Sequence, residues 1–342
     1  MIRFSNDYSE ACHPLILEAL VATNLEGNFG YSRDPHSEKA HELIRKAVAC
    51  PTADVHILVG GTQTNTTVIA SALRPHEAVI TAATGHIVGH ESGAIEATGH
   101  KCITCPAVDG KLTPALVRAA AAAHTEEYTV KPRMVYISQT TELGTLYNLP
   151  ELEALSETCR ELGLYLFLDG ARLGSALATG LFTLPDLARL CDVFYIGGTK
   201  NGAMMGEALV IVNDALKPDF RYHLKQRGGM MAKGWLLGLQ FEVLMQNDLY
   251  IQLAQHANAV ALKLKDGIAA LGYRFTSDSI TNQQFVVLPN AVLEQLNGRF
   301  TWEVMSRPDA NHTEIRLVTS WATPESAADA FVQALKEAAA NT

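Results

Sequence analysis

A lysine and an aspartate stand out because each follows a short apolar run, at the point where a strand would end. Lys200 lies in the run YIGGTKNG, and Asp169 lies in the run FLDGARLG. In α/β folds the chemistry gathers at the carboxyl ends of the strands. An amine there can form a Schiff base with an aldehyde, and a buried carboxylate can keep a ring nitrogen protonated. Taken alone, each is explained as well by a solvated loop or turn residue.

A glycine turn upstream of both residues suits an anionic group. Residues 59–65 read VGGTQTN, where a strand closes and a helix opens, so backbone amides and the positive end of the helix dipole converge there. The segment matches neither dinucleotide nor nucleoside triphosphate motifs, which favours one phosphate on a small cofactor. The alternative is a plain turn in which Thr62 or Thr64 caps the helix. Together with Lys200 and Asp169, the turn predicts pyridoxal 5′-phosphate as the cofactor.

Two histidines and an acid follow the next strand, in the run HIVGHE that begins at His86 and includes His90. A zinc site is disfavoured, because the run is not HExxH and a third ligand at a natural spacing is missing. A histidine that stacks on a ring, or that acts as an acid or base near neutral pH, suits the pattern better. A purely structural role in the loop remains the alternative. Similarly, Cys102 and Cys105 are interpreted as part of a strand rather than as a redox or metal pair.

The composition excludes several classes of protein. The chain has 342 residues, 48% of them hydrophobic, which suffices for one large domain and a smaller one. A net charge of -9 without any Lys/Arg run argues against a nucleic-acid partner. No apolar run reaches the roughly 18 to 20 residues that span a bilayer, and the first residues lack the apolar core of a signal peptide. Six cysteines are too few for a disulfide scaffold. We therefore expect a cytoplasmic protein.

Short apolar strands alternate with helical stretches through most of the chain, which is typical of a mainly parallel, doubly wound α/β sheet. The strand candidates are DVHILVG, HEAVITA, HKCITC, RMVYIS, LYLFLD, DVFYIG and EALVIV, with helices that include Asn65 to Leu73, Pro114 to His124 and Pro150 to Leu162. A helical stretch near Trp235 to Lys265 leads to TNQQFVVLP, FTWEVM, TEIRLVTS and a last helix from Pro324. We expect a large domain over residues 1–245, which includes the N-terminal segment, and a small C-terminal α+β domain over residues 246–342.

The order of these motifs resembles the threonine aldolase branch of the fold type I pyridoxal phosphate enzymes. The similarity extends over nearly the whole chain, through NDYSEACHP, GYSRDPH, the glycine turn, HIVGHESGAIEATGH, LDGARLG, GGTKNG and TEIRLVTS. It implies the aspartate aminotransferase-like fold, in which the seven strand candidates form the sheet of the large domain. It also implies a homodimer or homotetramer, because such enzymes usually build each active site from two subunits.

The resemblance also assigns roles around the cofactor. Lys200 would carry it as a Schiff base, Asp169 would pair with its pyridinium nitrogen, and His86 would stack on its ring. Arg172 would lie beside the cofactor as well. The phosphate would be held by Gly61, Thr62 and Gln63. No metal is implied.

On the substrate side, Arg172 and Arg316 would bind a carboxylate, which suits the bidentate guanidinium fork. Asn6 would lie near that carboxylate. In the run ISQTTE over residues 137–142, Thr141 takes the place of a histidine that helps many threonine aldolases to handle the substrate hydroxyl. The catalytic base is therefore left open between His90 and His86. An arginine of the family is missing too, and the residues that can replace it at the phosphate are Lys225, Arg227 and Lys233.

The predicted function is that of an aldolase. A β-hydroxy-α-amino acid such as threonine or allo-threonine, a small-molecule substrate, would be cleaved into glycine and an aldehyde. A β-eliminating lyase or an aminotransferase on the same scaffold is the main alternative, because either would share the lysine, the aspartate and the arginines. A protein that only binds the cofactor is a third possibility.

Overall fold

The computed structural model describes residues 1–341, which form thirteen strands and thirteen α-helices. The strands are β1 (Ile2–Arg3), β2 (Asp54–Leu58), β3 (Glu77–Ala82), β4 (Cys102–Cys105), β5 (Lys131–Ser138), β6 (Tyr165–Asp169), β7 (Val193–Gly197), β8 (Glu207–Ile211), β9 (Arg274–Phe275), β10 (Gln283–Pro289), β11 (Phe300–Thr301), β12 (Glu303–Ser306) and β13 (His312–Val318). The helices are α1 (Pro14–Ala22), α2 (Pro35–Ala47), α3 (Gly61–Ala72), α4 (His86–Gly89), α5 (Pro114–Ala122), α6 (Leu149–Leu162), α7 (Leu173–Leu177), α8 (Leu184–Leu190), α9 (Phe220–Gln226), α10 (Trp235–Leu244), α11 (Leu249–Ala270), α12 (Asn290–Leu296) and α13 (Glu325–Ala340).

Seven strands form the central sheet in the order β2, β8, β7, β6, β5, β3, β4. From β7 to β4 the neighbouring strands run parallel, whereas β8 runs antiparallel to both β7 and β2. All seven predicted strands lie in this sheet, and its central strands are buried on both faces because helices cover both sides. The predicted mainly parallel α/β fold is therefore confirmed.

Side chains of the central strands alternate between the two faces of the sheet, as the period of two requires. On β6, Leu168 packs into the core of one face and Phe167 into the core of the other. Tyr136 of β5 and Tyr195 of β7 lie in the same core as Phe167. Asp169 is two residues beyond Phe167, so its side chain emerges on the face that carries both tyrosines.

The helices around the sheet begin in two different ways. Helix α6 has a capping box, in which Asn148 accepts the N–H of Glu151 at 3.0 Å and Glu151 accepts the N–H of Asn148 at 2.8 Å. Helix α3 instead starts after Gly60, which supplies no side-chain cap. The prediction that this helix starts at Asn65 was therefore wrong by one turn, because the first turn lacks the capping signal that marks a helix start.

Two glycines bring the ends of β6 and β7 into contact. A Cβ added at Gly170 would lie 1.8 Å from the carbonyl oxygen of Tyr195, and one added at Gly197 would lie 2.5 Å from the carbonyl oxygen of Gly170. The N–H of Gly197 donates to the carbonyl of Gly170 at 3.0 Å. Only residues without a side chain fit this approach.

The C-terminal part of the chain builds a second sheet, with the strand order β12, β13, β10, β9. Helices α11, α12 and α13 pack with it around a separate hydrophobic core that includes Val286, Leu317 and Phe331. Phe4 belongs to this core too, and β1 pairs with β11, so the first residues pack with the C-terminal unit. The predicted boundary did not anticipate this, since it grouped the N-terminal segment with the large sheet. The division at residue 245 stays a prediction.

The long helical stretch predicted near residues 235–265 is two helices, α10 and α11. They are separated by Asn247 and Asp248, both with positive φ. The sequence has no glycine or proline at this point, so this break between the helices could not be predicted from it. Among the helices of residues 1–341, none is both long enough and apolar enough to cross a membrane.

Candidate active site

Asp169 is a buried carboxylate held by four donors at the end of β6. Its Oδ1 accepts the phenol of Tyr195 at 2.5 Å and a backbone N–H at 3.0 Å. Its Oδ2 accepts the phenol of Tyr136 at 2.5 Å and the amide of Asn65 at 3.1 Å. Burial raises its pKa, but the charge of His86 and the hydrogen bonds outweigh burial and bring the pKa below its usual value. The group is therefore an anion, as the partner of a protonated ring nitrogen must be.

The two phenols are kept in their donating form. Burial and the nearby charge of Asp169 raise the pKa of Tyr136 and of Tyr195 well above the usual value. Each phenol therefore stays protonated and donates a hydrogen bond to Asp169. Neither tyrosine was among the predicted site residues. The signal was present in the period-two alternation of β5, β6 and β7, which places both on the face of Asp169.

Lys200 extends from the turn between β7 and β8 and is partly buried. Within residues 1–341 its Nζ has no hydrogen bond or ion pair. Burial and the charge of Arg172 lower the pKa of this amine, against the opposing charges of Asp7, Asp169 and Glu207. An unpaired amine with a lowered pKa is the form that attacks a carbonyl carbon.

Glu207 is a second ionisable group near the lysine, and its run EALVIV was predicted only as a strand. It begins β8, is buried, and accepts the N–H of Gly198 at 3.1 Å. Burial raises its pKa to about 8, although a hydrogen bond from Thr199 and the charge of Lys200 act in the opposite direction. The amine of Lys200 therefore lies in the electrostatic field of a buried carboxyl group whose pKa is well above the usual value.

The N-terminus of α3 forms an anion cradle. The first turn of this twelve-residue helix has no side-chain cap, which leaves the N–H groups of Gly61, Thr62 and Gln63 for a ligand. A Cβ added at Gly60 would meet nothing within 4 Å, so the space in front of the turn is open.

Arg227 borders this cradle. Its carbonyl accepts the side-chain amide of Gln63 at 3.2 Å, and its Nε is buried without a hydrogen-bond partner among the described residues. Lys225 and Lys233 are both exposed, and the ammonium of Lys225 lies 4.8 Å from the ring centroid of Tyr31. Of the three cations predicted at the phosphate, Arg227 is thus the one with a contact to the turn. An orphaned guanidinium nitrogen beside an uncapped helix fits a phosphate group.

His86 begins the short helix α4 and is fixed by a carboxylate. Its Nδ1 lies 2.8 Å from Oε1 of Glu91, which is buried and also accepts the amide of Asn65 at 2.7 Å. Burial lowers the pKa of His86, but the bond to Glu91 and the charge of Asp169 outweigh it and raise the pKa. The ring of His90 is exposed, 5.5 Å from that of His86 between centroids. Asn65 therefore links Glu91, and through it His86, to Asp169.

Arg172 carries a buried ion pair that the sequence analysis missed. Its Nε and Nη2 donate to the two oxygens of Asp7, at 2.7 Å and 3.0 Å, and Asn282 donates to the same carboxylate at 2.9 Å. Burial raises the pKa of Asp7, but Arg172 and Lys200 reverse this and lower it. This bidentate pair orients the guanidinium and leaves its Nη1 for a further partner.

Arg316 lies close enough to Arg172 and Asp7 to interact with both charges. Its Nη1 donates to Gln283 at 3.0 Å, its Nη2 donates to Glu303, and its Nε is buried without a partner among residues 1–341. The structure thus brings the two predicted arginines together beside Asp7.

The segment after β5 carries the predicted Thr141 and an unpredicted acid. Thr141 is buried, and its hydroxyl lies 2.7 Å from that of Thr145, within its own loop. Glu142 accepts the hydroxyl of Ser138 at 2.7 Å and the backbone N–H of His86 at 2.9 Å. Asn6 accepts the N–H of Tyr8 at 3.1 Å and the hydroxyl of Ser9 at 2.9 Å, next to Asp7. The roles given to Asn6 and Thr141 stay predictions.

Comparison with known proteins fits this arrangement. Residues 11–291 match the model of the beta-eliminating lyase family. The chain belongs to this family. Within it, the chain is 33% identical to a low specificity L-threonine aldolase of Pseudomonas aeruginosa over 86% of each chain. The structure of Leishmania major threonine aldolase is 50% identical, with a TM-score of 0.97 over 98% of this chain and 99% of that one. The resemblance to the threonine aldolase branch is confirmed.

A more distant similarity supports the fold of this beta-eliminating lyase family member. A Thermus thermophilus aspartate aminotransferase variant aligns with a TM-score of 0.71 over 99% of this chain and 91% of its own, at 16% identity. The aspartate aminotransferase-like fold is thereby shown. Family and fold imply pyridoxal 5′-phosphate as the cofactor. The orphaned Arg227 Nε, the uncapped α3 and the unpaired Lys200 fit it.

Proposed function

We propose that this protein is a lyase that cleaves β-hydroxy-α-amino acids of the threonine and allo-threonine type into glycine and an aldehyde, with pyridoxal 5′-phosphate as cofactor. The observation that carries the proposal is the unpaired amine of Lys200 close to the anionic Asp169, with Arg172 and Arg316 beside them. The names of the relatives, threonine aldolases of Pseudomonas aeruginosa and Leishmania major, support the choice of substrate class.

The residues that would hold the cofactor each have a separate task. The Lys200 amine would bind the aldehyde carbon of the cofactor. Asp169 would pair with the ring nitrogen, and the N–H groups at the start of α3 would bind the phosphate. His86, fixed by Glu91, would lie on its ring. When bound, the cofactor supplies a protonated ring that accepts the electron pair released at the substrate Cα.

The protein would orient the substrate through its carboxylate. Arg172 and Arg316 are the two guanidinium groups of this region, and each retains a nitrogen without a partner in the described chain. Asp7 holds Arg172 in one orientation, so the position of the substrate carboxylate is preset. With the carboxylate fixed, the bond between Cα and Cβ is held in one direction relative to Lys200. Asn6 and Thr141 stand as further candidates at this end of the substrate.

The assembly that we propose is a homodimer or a homotetramer. Helix α1 and the loop after it expose a series of large apolar side chains, with exposed fractions that rise to 95% at Leu25. The series consists of Leu15, Leu17, Val21, Leu25 and Phe29. Contiguous exposed apolar residues mark surfaces that another chain covers. The exposed Lys225 and Lys233 are then free to act at the phosphate of a neighbouring subunit.

We also propose a cytoplasmic location, and support comes from the cysteines. All six are free thiols, including the neighbours Cys102 and Cys105 on β4. Unpaired thiols are typical of proteins that reside in a reducing compartment. The large domain over residues 1–245 and the small domain over residues 246–342 are part of the same proposal.

Product analysis of the purified holoenzyme tests the function. Threonine, allo-threonine, phenylserine and serine are supplied in turn, and glycine, aldehyde, ammonia and keto acids are quantified. We expect glycine and aldehyde in equal amounts from at least one β-hydroxy substrate. Lys200→Ala should lose the visible absorbance of the bound cofactor and all turnover, whereas the exposed control Lys336→Ala should retain both. Ammonia and a keto acid instead would assign the chain to β-elimination, and an amino-group transfer would assign it to the aminotransferases.

A further inference from the structure

Glu142 is held at the carboxyl ends of two neighbouring strands. Its Oε1 accepts the hydroxyl of Ser138, the last residue of β5, at 2.7 Å. The same oxygen accepts the backbone N–H of His86, which begins α4 after the neighbouring strand β3, at 2.9 Å. Two donors from different elements therefore fix one carboxylate oxygen.

The second oxygen of Glu142 is free. Among residues 1–341, no other residue donates a hydrogen bond to Oε2, and this atom is not among the fully buried polar atoms that lack a partner. Glu91 differs, because its Oε2 is buried without a donor and its Oε1 is taken by His86 and Asn65. Of the two acids beside His86, Glu142 is thus the one whose second oxygen is not among the fully buried, unpaired atoms.

Neither His86 nor His90 is as well placed as Glu142 to accept a proton from a substrate. Nδ1 of His86 is engaged with Glu91, and the pKa of the ring is raised, which favours its protonated form. The ring of His90 is exposed and makes no hydrogen bond in the described part of the chain, so nothing fixes its nitrogen atoms. A base is effective when its acceptor is held within hydrogen-bond reach of the proton.

The surroundings of Glu142 contain both signs of charge. Burial and the charge of Asp169 raise its pKa, while the bond from Ser138 and the charge of His86 lower it, with a net upward direction. The titratable groups that face it are His86 on α4, Tyr136 on β5, Tyr147 in the following loop, Asp169 at the end of β6 and Arg172 beyond it. A carboxylate with a raised pKa is a stronger base than an exposed one.

We propose that Glu142 is the base that removes the proton of the substrate β-hydroxyl, a task for which the sequence predicts no histidine at position 141, where many threonine aldolases carry one. This assignment rests on the proposed function. As Oε2 takes the proton, the oxygen and Cβ form the carbonyl of the aldehyde and the bond from Cα to Cβ breaks. Its electron pair stays with the amino-acid fragment, and one proton joins Cα to give glycine. No oxidant or reductant is needed, since the proton lost from oxygen balances the one gained at Cα.

The test separates this step from the other work of the site. Cleavage of threonine, exchange of the Cα hydrogen of glycine in D₂O, and calorimetric binding of glycine are measured on Glu142→Gln, Glu142→Asp and His90→Asn holoenzymes. Glu157→Gln, exposed on α6, is the matched control. Glycine has no β-hydroxyl, so its exchange reports the lysine and the cofactor site without the base.

We expect Glu142→Gln to lower kcat for cleavage by about 10²- to 10³-fold, the usual contribution of a general base, with little change in KM. Glycine binding and exchange should persist, Glu142→Asp should recover part of kcat, and the acid limb of the pH profile should disappear in Glu142→Gln. His90→Asn should cleave within a few-fold of the wild type.

Three results would overturn the assignment. They are cleavage by Glu142→Gln near the wild-type rate, loss of glycine exchange together with cleavage, and loss of the acid limb in His90→Asn instead. If the wild type exchanges glycine but cleaves no β-hydroxy amino acid, the proposed function itself fails.

A readout without cofactor is available in the apoprotein. Since the pKa of Glu142 is raised in the folded state, folding retains a proton that the unfolded chain has released. The wild type should therefore lose stability relative to Glu142→Gln as the pH rises from the ordinary glutamate pKa through the raised one. Parallel stability curves would show that Glu142 titrates normally and would contradict the proposed environment of the base.

Discussion

Tyr195 donates its phenol to Oδ1 of Asp169 at 2.5 Å, from the strand that leads directly to Lys200. One strand, β7, therefore both orients the carboxylate of Asp169 and ends at the turn that carries the amine of Lys200. The two halves of the predicted site are connected through this side chain.

Tyr195→Phe should weaken the site without unfolding it. The loss of one hydrogen bond to a charged group costs about 1.5 to 3 kcal/mol, and the pKa of Asp169 should move upward because one donor to its anion is gone. We expect weaker cofactor binding, measured by dialysis and absorbance, and a lower free energy of unfolding. Tyr222→Phe, at an exposed tyrosine, is the control. Unchanged affinity and stability would show that the other donors suffice.

Asp169→Asn should leave the fold intact and slow the reaction by about 10²-fold or more, the scale of removing one preorganised charge. A neutral amide cannot keep the ring nitrogen protonated, so the electron pair leaving Cα is poorly accepted. Exchange of the Cα hydrogen of glycine should slow in parallel with cleavage. Asp266→Asn, an exposed position on α11, should alter neither rate. Equal rates in Asp169→Asn and the wild type would remove Asp169 from this role.

Asp7→Asn should strongly destabilise the apoprotein. It leaves Arg172 buried without its charge partner, which costs about 3 to 5 kcal/mol, and denaturant unfolding measures the loss. Replacing both residues, as Asp7→Asn with Arg172→Met, should cost less than the sum of the single changes, because the lone charge is absent. Additive costs would mean that the two side chains do not depend on each other.

His86→Asn should change the pH dependence of stability. The folded-state pKa of His86 is raised, chiefly because its bond to Glu91 outweighs burial. The stability that the protonated His86 contributes is therefore fully present below the pKa of the unfolded state, near 6.5, and is lost as the pH rises through the pKa of the folded state. Between these values the wild-type apoprotein should lose stability relative to His86→Asn, as measured by chemical denaturation at a series of pH values. A difference that grows with rising pH would contradict the assigned direction.

The sheet and its chemical ends were predictable from local pattern. Each central strand is a short apolar run, so the positions of Asp169 and Lys200 at strand ends followed from the sequence. Helix α3 was predicted too short and α10 and α11 were merged, since their boundaries carry no proline or side-chain cap to mark them.

The partners of the site were not predictable in this way. Asp7 meets Arg172 across 165 positions of the chain, and Glu142 meets His86 across 56. Such contacts depend on the order of the strands in the sheet. That order cannot be predicted from the local pattern of apolar and polar residues. Glu207 was missed for another reason, because a single acid at the start of an apolar strand looks like an ordinary strand end.

The contact between Gly170 and Gly197 determines which substitutions the protein can accept during evolution. The gap between the aspartate and the lysine is set there by main chain against main chain, with no side chain as a spacer. Substitutions in the surrounding cores can therefore alter the overall stability while the spacing of the two reactive groups stays the same. A methyl group at either glycine would do the opposite, since it would force apart the two strand ends that position Asp169 and Lys200.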